Sequence, residues 1–193
     1  GAHALAVSSH KIGGPTGAGA LLLAPDAPPI AAHLPGGGQE SGRRGGTPAL
    51  AMIAGFAAAC REAVAPTETA ALRDGIDRAA VAAGAQICGG DALRLPNTTC
   101  LALPGVRADT QVITLDLAGF SVSAGAACSS GKVAVSHVLT AMGLGPLAGE
   151  AIRVSLPWNV ADTEVAAFSA AYAAMAGRLL RRGQAPALAP HVA

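Results

Sequence analysis

The sequence is poor in aromatic residues and nearly balanced in charge. Aromatic side chains make up 3% of its 193 residues, whereas hydrophobic residues, many of them alanine, make up 51%. A core of this composition depends on close helix packing rather than on large side chains. The formal net charge of +1 at pH 7 gives no general electrostatic attraction to nucleic acid or to an anionic membrane surface. We therefore expect no nucleic-acid partner.

Long hydrophobic runs are also lacking. The two longest, residues 49–60 and 165–177, end well short of the roughly 20 apolar residues that span a bilayer. No cationic segment followed by an apolar one opens the chain, as it would in a secretory signal. We therefore expect a soluble, cytoplasmic protein without a membrane partner.

The four cysteines lack the spacing of a metal site. Cys60, Cys88, Cys100 and Cys128 form no Cys-x-x-Cys motif, and no histidine stands at ligand spacing. This argues against zinc, so no metal is predicted. Without a secretory signal, a disulfide framework is not expected either. Three of the cysteines are expected to be small buried hydrophobes, whereas Cys128 lies among glycine, alanine and serine.

Strand and helix patterns alternate along the chain. Apolar alternation predicts strands at residues 3–8, 18–23, 98–103, 120–122 and 151–156, and an extended piece at 30–34. Helical periodicity and capping residues predict helices from Thr47 to the break at Pro66, then over 67–83, 109–117, 136–143 and from Asp162 onward. The mixture indicates an α/β or α+β fold.

A lysine lies between the first strand and a glycine-rich turn. Lys11 is one of only two lysines in the chain, and we expect Ser8 and His10 to project on its own side of the strand. A neutral amine at this position can form a Schiff base with a carbonyl cofactor, and burial favours neutrality by lowering the amine pKa. In phosphate-binding glycine loops the lysine follows the glycines and opens a helix. Here Lys11 precedes the glycines and a strand follows, so nucleotide binding is only weakly indicated. A surface lysine beside a turn is the alternative.

Three further segments carry candidate chemistry. The glycines and arginines of residues 42–47 precede a helix and suit either an anion site or a flexible linker. Cys128, on a small polar loop, suits a travelling thiolate nucleophile or a merely exposed cysteine. Arg153 is the single cation of an otherwise apolar strand, where its planar guanidinium suits a substrate carboxylate or a plain salt bridge.

Taken together, these segments resemble the pyridoxal-phosphate-dependent cysteine desulfurases of the class V aminotransferase superfamily. Residues 8–15, Ser-Ser-His-Lys-Ile-Gly-Gly-Pro, resemble the cofactor-lysine motif, and residues 36–47 resemble a second signature. Residues 123–130 with 136–139 resemble the mobile cysteine loop, and residues 152–156 resemble the substrate-carboxylate strand. The four segments stand in the family's order over nearly the whole chain.

The resemblance implies a pyridoxal 5'-phosphate site. Lys11 would hold the cofactor covalently and move protons once substrate releases it. Ser8 and His10 would bind the cofactor phosphate. Thr47 would reach the phosphate of the neighbouring subunit, which implies a homodimer.

The resemblance also implies a substrate and a product. Arg153 would bind the carboxylate of L-cysteine. Cys128 would attack the substrate sulfur, which leaves a persulfide on the enzyme and releases L-alanine. The sulfur would then pass to an acceptor or to a scaffold protein of iron–sulfur cluster assembly.

The implied fold is the C-terminal half of a fold-type I transferase. Residues 1–60 would be the edge of the large cofactor domain, residues 61–182 most of the small C-terminal domain, and residues 183–193 a disordered tail. The half that carries the ring-stacking aromatic group and the acid that pairs with the pyridine nitrogen is missing from the sequence. Three alternatives stay open: a selenocysteine lyase, another class V aminotransferase, and a non-catalytic dimerisation or sulfur-acceptor module.

Overall fold

The computed structural model describes residues 2–63, 68–125 and 135–183. The chain forms two compact units, Gly1–Ala65 and Pro66–Ala193. Strands and helices are present in both. In the part of the chain that the structure describes, no helix is both long and apolar enough to cross a membrane.

The described residues of the first unit form one β-hairpin, one α-helix and two short 3-10 turns. Strand β1 (Ala4–Ser8) pairs antiparallel with β2 (Gly19–Leu23), in a register that runs from Ala4 opposite Leu23 to Ser8 opposite Gly19. Both strands lie where the alternation of apolar residues predicts them. The predicted extended piece at residues 30–34 is not a strand, because it makes only the isolated bridge from Leu34 to Arg44.

Helix α1 (Leu50–Glu62) differs from its prediction in two respects. It begins at Leu50, and its N-terminus has no side-chain cap, so neither Thr47 nor Pro48 belongs to the helix. None of its residues is buried, and Cys60, predicted to be a buried hydrophobe, is exposed. The helix therefore has the predicted apolar stripe in its sequence, but the described residues of this unit do not bury the side chains of that stripe.

The second unit is built on a four-stranded antiparallel sheet in the order β3-β4-β6-β5. Its strands are β3 (Gln86–Ile87), β4 (Thr98–Ala102), β5 (Ser123–Ala124) and β6 (Ala151–Ser155). Its helices are α2 (Thr69–Ala82), α3 (Ala108–Leu117), α4 (His137–Ala141) and α5 (Asp162–Gly183). The predicted tail beyond Gly183 lies outside the described residues.

The main core lies between one face of this sheet and helices α2, α3 and α5. Its fully buried side chains include Ile76, Leu101, Leu115, Ile152 and Tyr172. The predicted strand at residues 120–122 is displaced, and β5 begins at Ser123. The side chain of Phe120 packs edge-on against Phe168 of α5, with ring centroids 5.5 Å apart.

The opposite face of the sheet carries a smaller apolar cluster. Its buried members are Cys88, Ala102, Leu139, Ala148 and Ala151. Leu139 belongs to α4, whose N-terminus is capped as predicted, since the hydroxyl of Ser136 accepts a hydrogen bond of 3.3 Å from the Leu139 amide.

A buried carboxylate ties α2 to β4. Asp77 is 5% exposed and Thr99 is 2% exposed. The Thr99 hydroxyl donates to Asp77 Oδ1 at 2.5 Å, and Arg94 Nη2 donates to Asp77 Oδ2 at 3.0 Å. A buried carboxylate requires such partners, because leaving it unpaired costs several kcal/mol.

Candidate functional site

Lys11 lies in a tight turn at the end of β1. Ser8 is extended, and residues Ser9–Ile12 then form one 3-10 turn that ends at Gly13. Gly13 has φ of +84°, a left-handed conformation that glycine adopts without steric cost. The amide of Gly14 donates to the carbonyl of Ser9 at 3.0 Å, which closes the turn.

The side chains around Lys11 form a cluster of polar donors. Ser8 Oγ and His10 Nδ1 lie 3.0 Å apart and share a hydrogen bond. The hydroxyl of Ser9 is fully buried and has no hydrogen-bond partner among the described residues. A Cβ at Gly14 would collide with this hydroxyl, so the turn requires glycine there.

The side chain of Lys11 itself is exposed in this unit. Burial of the amine was expected to favour its Schiff-base role, and the described residues of the first unit do not provide that burial. The physical reason is the position of Lys11 in the connection between two strands that are themselves exposed over most of their length.

The glycine-rich segment before α1 is a compact loop. The amide of Gly45 donates to the carbonyl of Leu34 at 2.7 Å, and a Cβ on Gly45 would overlap the carbonyl oxygen of Gly36. Arg44 Nη1 donates to the carbonyls of Gly45 and Gly46 at 3.1 and 3.4 Å. This loop is therefore held by internal hydrogen bonds, which argues against the flexible-linker alternative.

The same loop borders a hollow of about 680 Å³ within the first unit. Arg43, Arg44 and His33 contribute the basic groups of its lining, and Ile53 and Phe56 of α1 contribute apolar ones. Ser8, His10, Lys11 and Thr47 are not among its lining residues. Thr47 is exposed, between this loop and α1.

Arg153 lies at the centre of β6 in the second unit. Its strand neighbours Ile152 and Val154 are buried, whereas Arg153 is exposed, as the alternation predicts. Its Nη2 atom lies 3.4 Å from the hydroxyl of Ser123 on β5, a weak hydrogen bond at most. The ion pairs found in the described ranges join Arg73 to Asp74, Arg94 to Asp77 and Arg107 to Asp109. The plain salt bridge considered for Arg153 is thus not formed within the described residues.

Cys128, the predicted nucleophile, lies outside the described residues. The chain enters its segment from β5, whose Ser123 is opposite Arg153 in the sheet register. Cys128 follows Ser123 by five positions in the sequence.

A pair of neighbouring thiols, not predicted from the sequence, lies in the second unit. The amide of Cys88, just after β3, donates to the carbonyl of Cys100 on β4 at 2.8 Å. A hydrogen bond from the Cys100 thiol lowers the pKa of Cys88 to about 7, and the same bond together with burial raises the pKa of Cys100. The two residues are separated in the sequence, and only the antiparallel register brings them together. No local sequence pattern therefore predicts that they are neighbours.

The structure therefore groups the predicted residues by unit. Ser8, His10 and Lys11 lie at one turn of the first unit, with a hydrogen bond between Ser8 and His10, whereas Arg153 lies in the second unit beside Ser123. No group of His, Cys, Asp and Glu side chains suited to a metal ion occurs in the portion of the chain that is described.

The fold is that of NifS-like enzymes. A solved structure titled NIFS-like protein superposes with a TM-score of 0.77 at 31% identity, over 91% of this chain and 46% of that one. A NifS-like protein from Rickettsia africae superposes with a TM-score of 0.75 at 30% identity, over 90% of this chain and 47% of that one. The mixed α/β architecture is thus part of a fold-type I enzyme, as expected.

Residues 1–168 match the aminotransferase class-V family model, and the chain belongs to that family. Members of this family generally depend on pyridoxal phosphate. A cysteine desulfurase of Cereibacter sphaeroides is 39% identical over 163 residues, which are 81% of this chain and 42% of the relative. The cysteine desulfurase NifS of Azotobacter vinelandii is 34% identical over 171 residues, 84% of this chain and 42% of the relative. The chain thus spans about 42% of the length of these curated relatives.

Proposed function

We propose that this chain is the lysine- and arginine-bearing part of a cysteine desulfurase, which converts L-cysteine to L-alanine and an enzyme-bound persulfide. The observation that carries the proposal is the turn at Lys11, where a lysine is flanked by a hydroxyl and an imidazole that share a hydrogen bond. NifS-like relatives of matching sequence and fold support it.

The donor set at this turn fits pyridoxal 5'-phosphate. Ser8 and His10 offer a hydroxyl and an imidazole to a phosphate, and the unpartnered hydroxyl of Ser9 is a further polar group in the same turn. The Lys11 amine would bind the cofactor aldehyde and carry a proton to or from the substrate carbon. When bound, the cofactor supplies an electron sink for the substrate carbon.

The second unit supplies the substrate contacts. Arg153 would pair with the carboxylate of L-cysteine, since its guanidinium is exposed and has no carboxylate partner among the described residues. The thiolate of Cys128 would then attack the substrate sulfur. A sulfur–sulfur bond forms as the carbon–sulfur bond breaks, and the carbon takes up a proton to become L-alanine.

We also propose that the two units are the two parts implied by the family resemblance. We assign residues 1–60 to the edge of a large cofactor domain and residues 61–182 to a small C-terminal domain. The first unit exposes several large apolar residues, among them Leu21, Leu22 and Leu50, which supports a covered position in a larger enzyme because exposed apolar area is unfavourable in water. In a homodimer, Thr47 would contact the cofactor phosphate of the partner, and an acceptor or iron–sulfur scaffold protein would receive the persulfide sulfur.

Covalent trapping tests the cofactor site. The purified chain is incubated with pyridoxal 5'-phosphate and reduced with borohydride, and the modified lysine is found by peptide mass mapping. We expect label on Lys11, its loss in Lys11→Arg, and no change in Lys132→Arg. Because the chain has only these two lysines, equal labelling of both would contradict a built site and favour the non-catalytic module.

A chimera tests the reaction. The matching part of the Cereibacter sphaeroides relative is replaced by this chain, and alanine and protein-bound sulfur are measured with L-cysteine. Cys128→Ala should abolish persulfide formation without removing bound cofactor, whereas the matched Cys60→Ala should do neither. Arg153→Ala should raise KM more than Arg153→Lys. Undiminished sulfur transfer in Cys128→Ala would reject the assignment, and faster turnover of selenocysteine than of cysteine would favour a selenocysteine lyase.

A further inference from the structure

Cys88 and Cys100 lie directly opposite each other on adjacent strands. The register pairs Gln86 with Ala102 and Ile87 with Leu101, so the next pair in an antiparallel ladder is Cys88 with Cys100. The 2.8 Å hydrogen bond between Cys88 N and Cys100 O extends the ladder to this pair. Opposite residues of the hydrogen-bonded type have Cα atoms about 5.5 Å apart, which is within the range of about 4.4–6.8 Å found for disulfides.

The two side chains share one face of the sheet. Residues opposite each other in a ladder point to the same side, and this side carries the small cluster that contains Cys88, Ala102 and Ala151. Both thiols are free. Cys88 is 7% exposed and Cys100 is partly exposed, so the pair is not sealed from solvent.

The surroundings favour thiol chemistry over metal binding. Among the described residues, no third His, Cys, Asp or Glu joins the pair to complete a metal site. The hydrogen bond with Cys88 and burial raise the pKa of Cys100, and Arg153, which lies opposite Cys100 on β6, offsets only part of that rise. Burial and the charge of Cys88 raise the pKa of Tyr172, which belongs to the main core. The lowered pKa of Cys88, about 7, favours a thiolate at Cys88 near neutral pH.

We propose that Cys88 and Cys100 are a redox-active dithiol, a modification site that low-molecular-weight disulfides convert to an intrachain disulfide beside Arg153. The thiolate of Cys88 attacks one sulfur of the reagent RSSR, forms a mixed disulfide and expels RS⁻. The thiol of Cys100 then gives up its proton and attacks the Cys88 sulfur, and the second RS⁻ leaves. The two cysteine sulfurs are oxidised and the reagent is reduced, with net conversion of two thiols and RSSR to one protein disulfide and two RSH.

The test uses the full chain with the other two cysteines removed. In the C60A/C128A variant only Cys88 and Cys100 remain, and it is treated with oxidised glutathione and then with an alkylating maleimide. Intact mass and peptide mapping report free, glutathionylated and cross-linked cysteine. The same treatment of the wild-type chain, mapped by differential alkylation, covers the case in which the double variant is poorly folded.

We expect a monomer that has lost both free thiols, carries no glutathione and yields a Cys88–Cys100 cross-linked peptide. Dithiothreitol should restore both thiols. Adding Cys100→Ala should abolish the cross-link and leave at most one glutathione on Cys88. Two glutathiones per chain, two thiols that remain alkylatable, or cross-links found only between chains would each overturn the proposal. This readout needs no cofactor and no turnover, so it is independent of the proposed desulfurase activity.

Discussion

Removal of the Asp77 carboxylate should destabilise the second unit strongly. In Asp77→Ala, the hydroxyl of Thr99, which is 2% exposed, loses its acceptor. Leaving a buried polar group without a partner costs about 1–3 kcal/mol. Breaking a fully buried ion pair costs about 3–5 kcal/mol, but the Arg94 side chain is 19% exposed and keeps access to water. We therefore expect the free energy of unfolding of the second unit to fall by ~3 kcal/mol. The unpartnered Thr99 hydroxyl and the broken ion pair both contribute, and solvent reduces the cost of the broken pair.

Hydrogen exchange measured by mass spectrometry on peptides that cover β4 is the suitable assay, because it reports on the second unit alone. A loss of ~3 kcal/mol corresponds to a fall in protection of roughly 100-fold. Asp77→Asn keeps an acceptor for Thr99 and should lose only about 1 kcal/mol, and Asp116→Ala, on the exposed face of α3, should change little. Unchanged protection in Asp77→Ala would refute the reasoning, and equal losses in the two Asp77 variants would refute the role given to the Thr99 bond.

Three further predictions follow from single features of the structure. Leu101→Ala, at a fully buried position of β4, should lower the free energy of unfolding by about 2–5 kcal/mol in the same exchange assay. Gly45→Ala should reduce the amount of borohydride-trapped cofactor. The new methyl group would overlap the carbonyl of Gly36 and displace the loop that leads to Thr47, the proposed phosphate contact. In the C60A/C128A variant, the rate of alkylation by iodoacetamide should rise with pH around the lowered Cys88 pKa of about 7. Additional Cys100→Ala removes the stabilising thiol donor and should move this midpoint to higher pH.

Matched controls keep these predictions specific. Leu117→Ala should have little effect on exchange, because Leu117 is exposed at the end of α3. Gly38→Ala should retain the trapped cofactor, since a Cβ there meets no atom within 4 Å and its φ is negative. Equal loss of cofactor in the Gly38 and Gly45 variants would contradict the steric argument. An alkylation midpoint that Cys100→Ala leaves unchanged would contradict the thiol–thiol hydrogen bond.

The local sequence pattern predicted the positions of the helices and strands better than the burial of their side chains. The alternation around Arg153 correctly placed Ile152 and Val154 in the core and the guanidinium outside it. The stripe of α1 predicted burial for Cys60, but periodicity shows only which face of a helix is apolar and not what packs on it. The exposure of Lys11 and the start of α1 at Leu50 depend in the same way on contacts that a local pattern does not contain.

The pairing of residues across the strands of the sheet could not be predicted from the sequence. Cys100 and Arg153 are far apart in the chain, and a shift of one residue in register would place their side chains on opposite faces. The same register explains why the proposed dithiol and the proposed nucleophile would have separate roles. Cys100 lies on an inner strand whose backbone is hydrogen-bonded to a neighbour on each side, so its sulfur cannot move far toward a substrate. A thiol fixed in this way reacts with its neighbour Cys88 or with a reagent that diffuses to it. Cys100 is therefore unsuited to the role of the nucleophile that must reach the cysteine substrate, and Cys128 stays the prediction for that role.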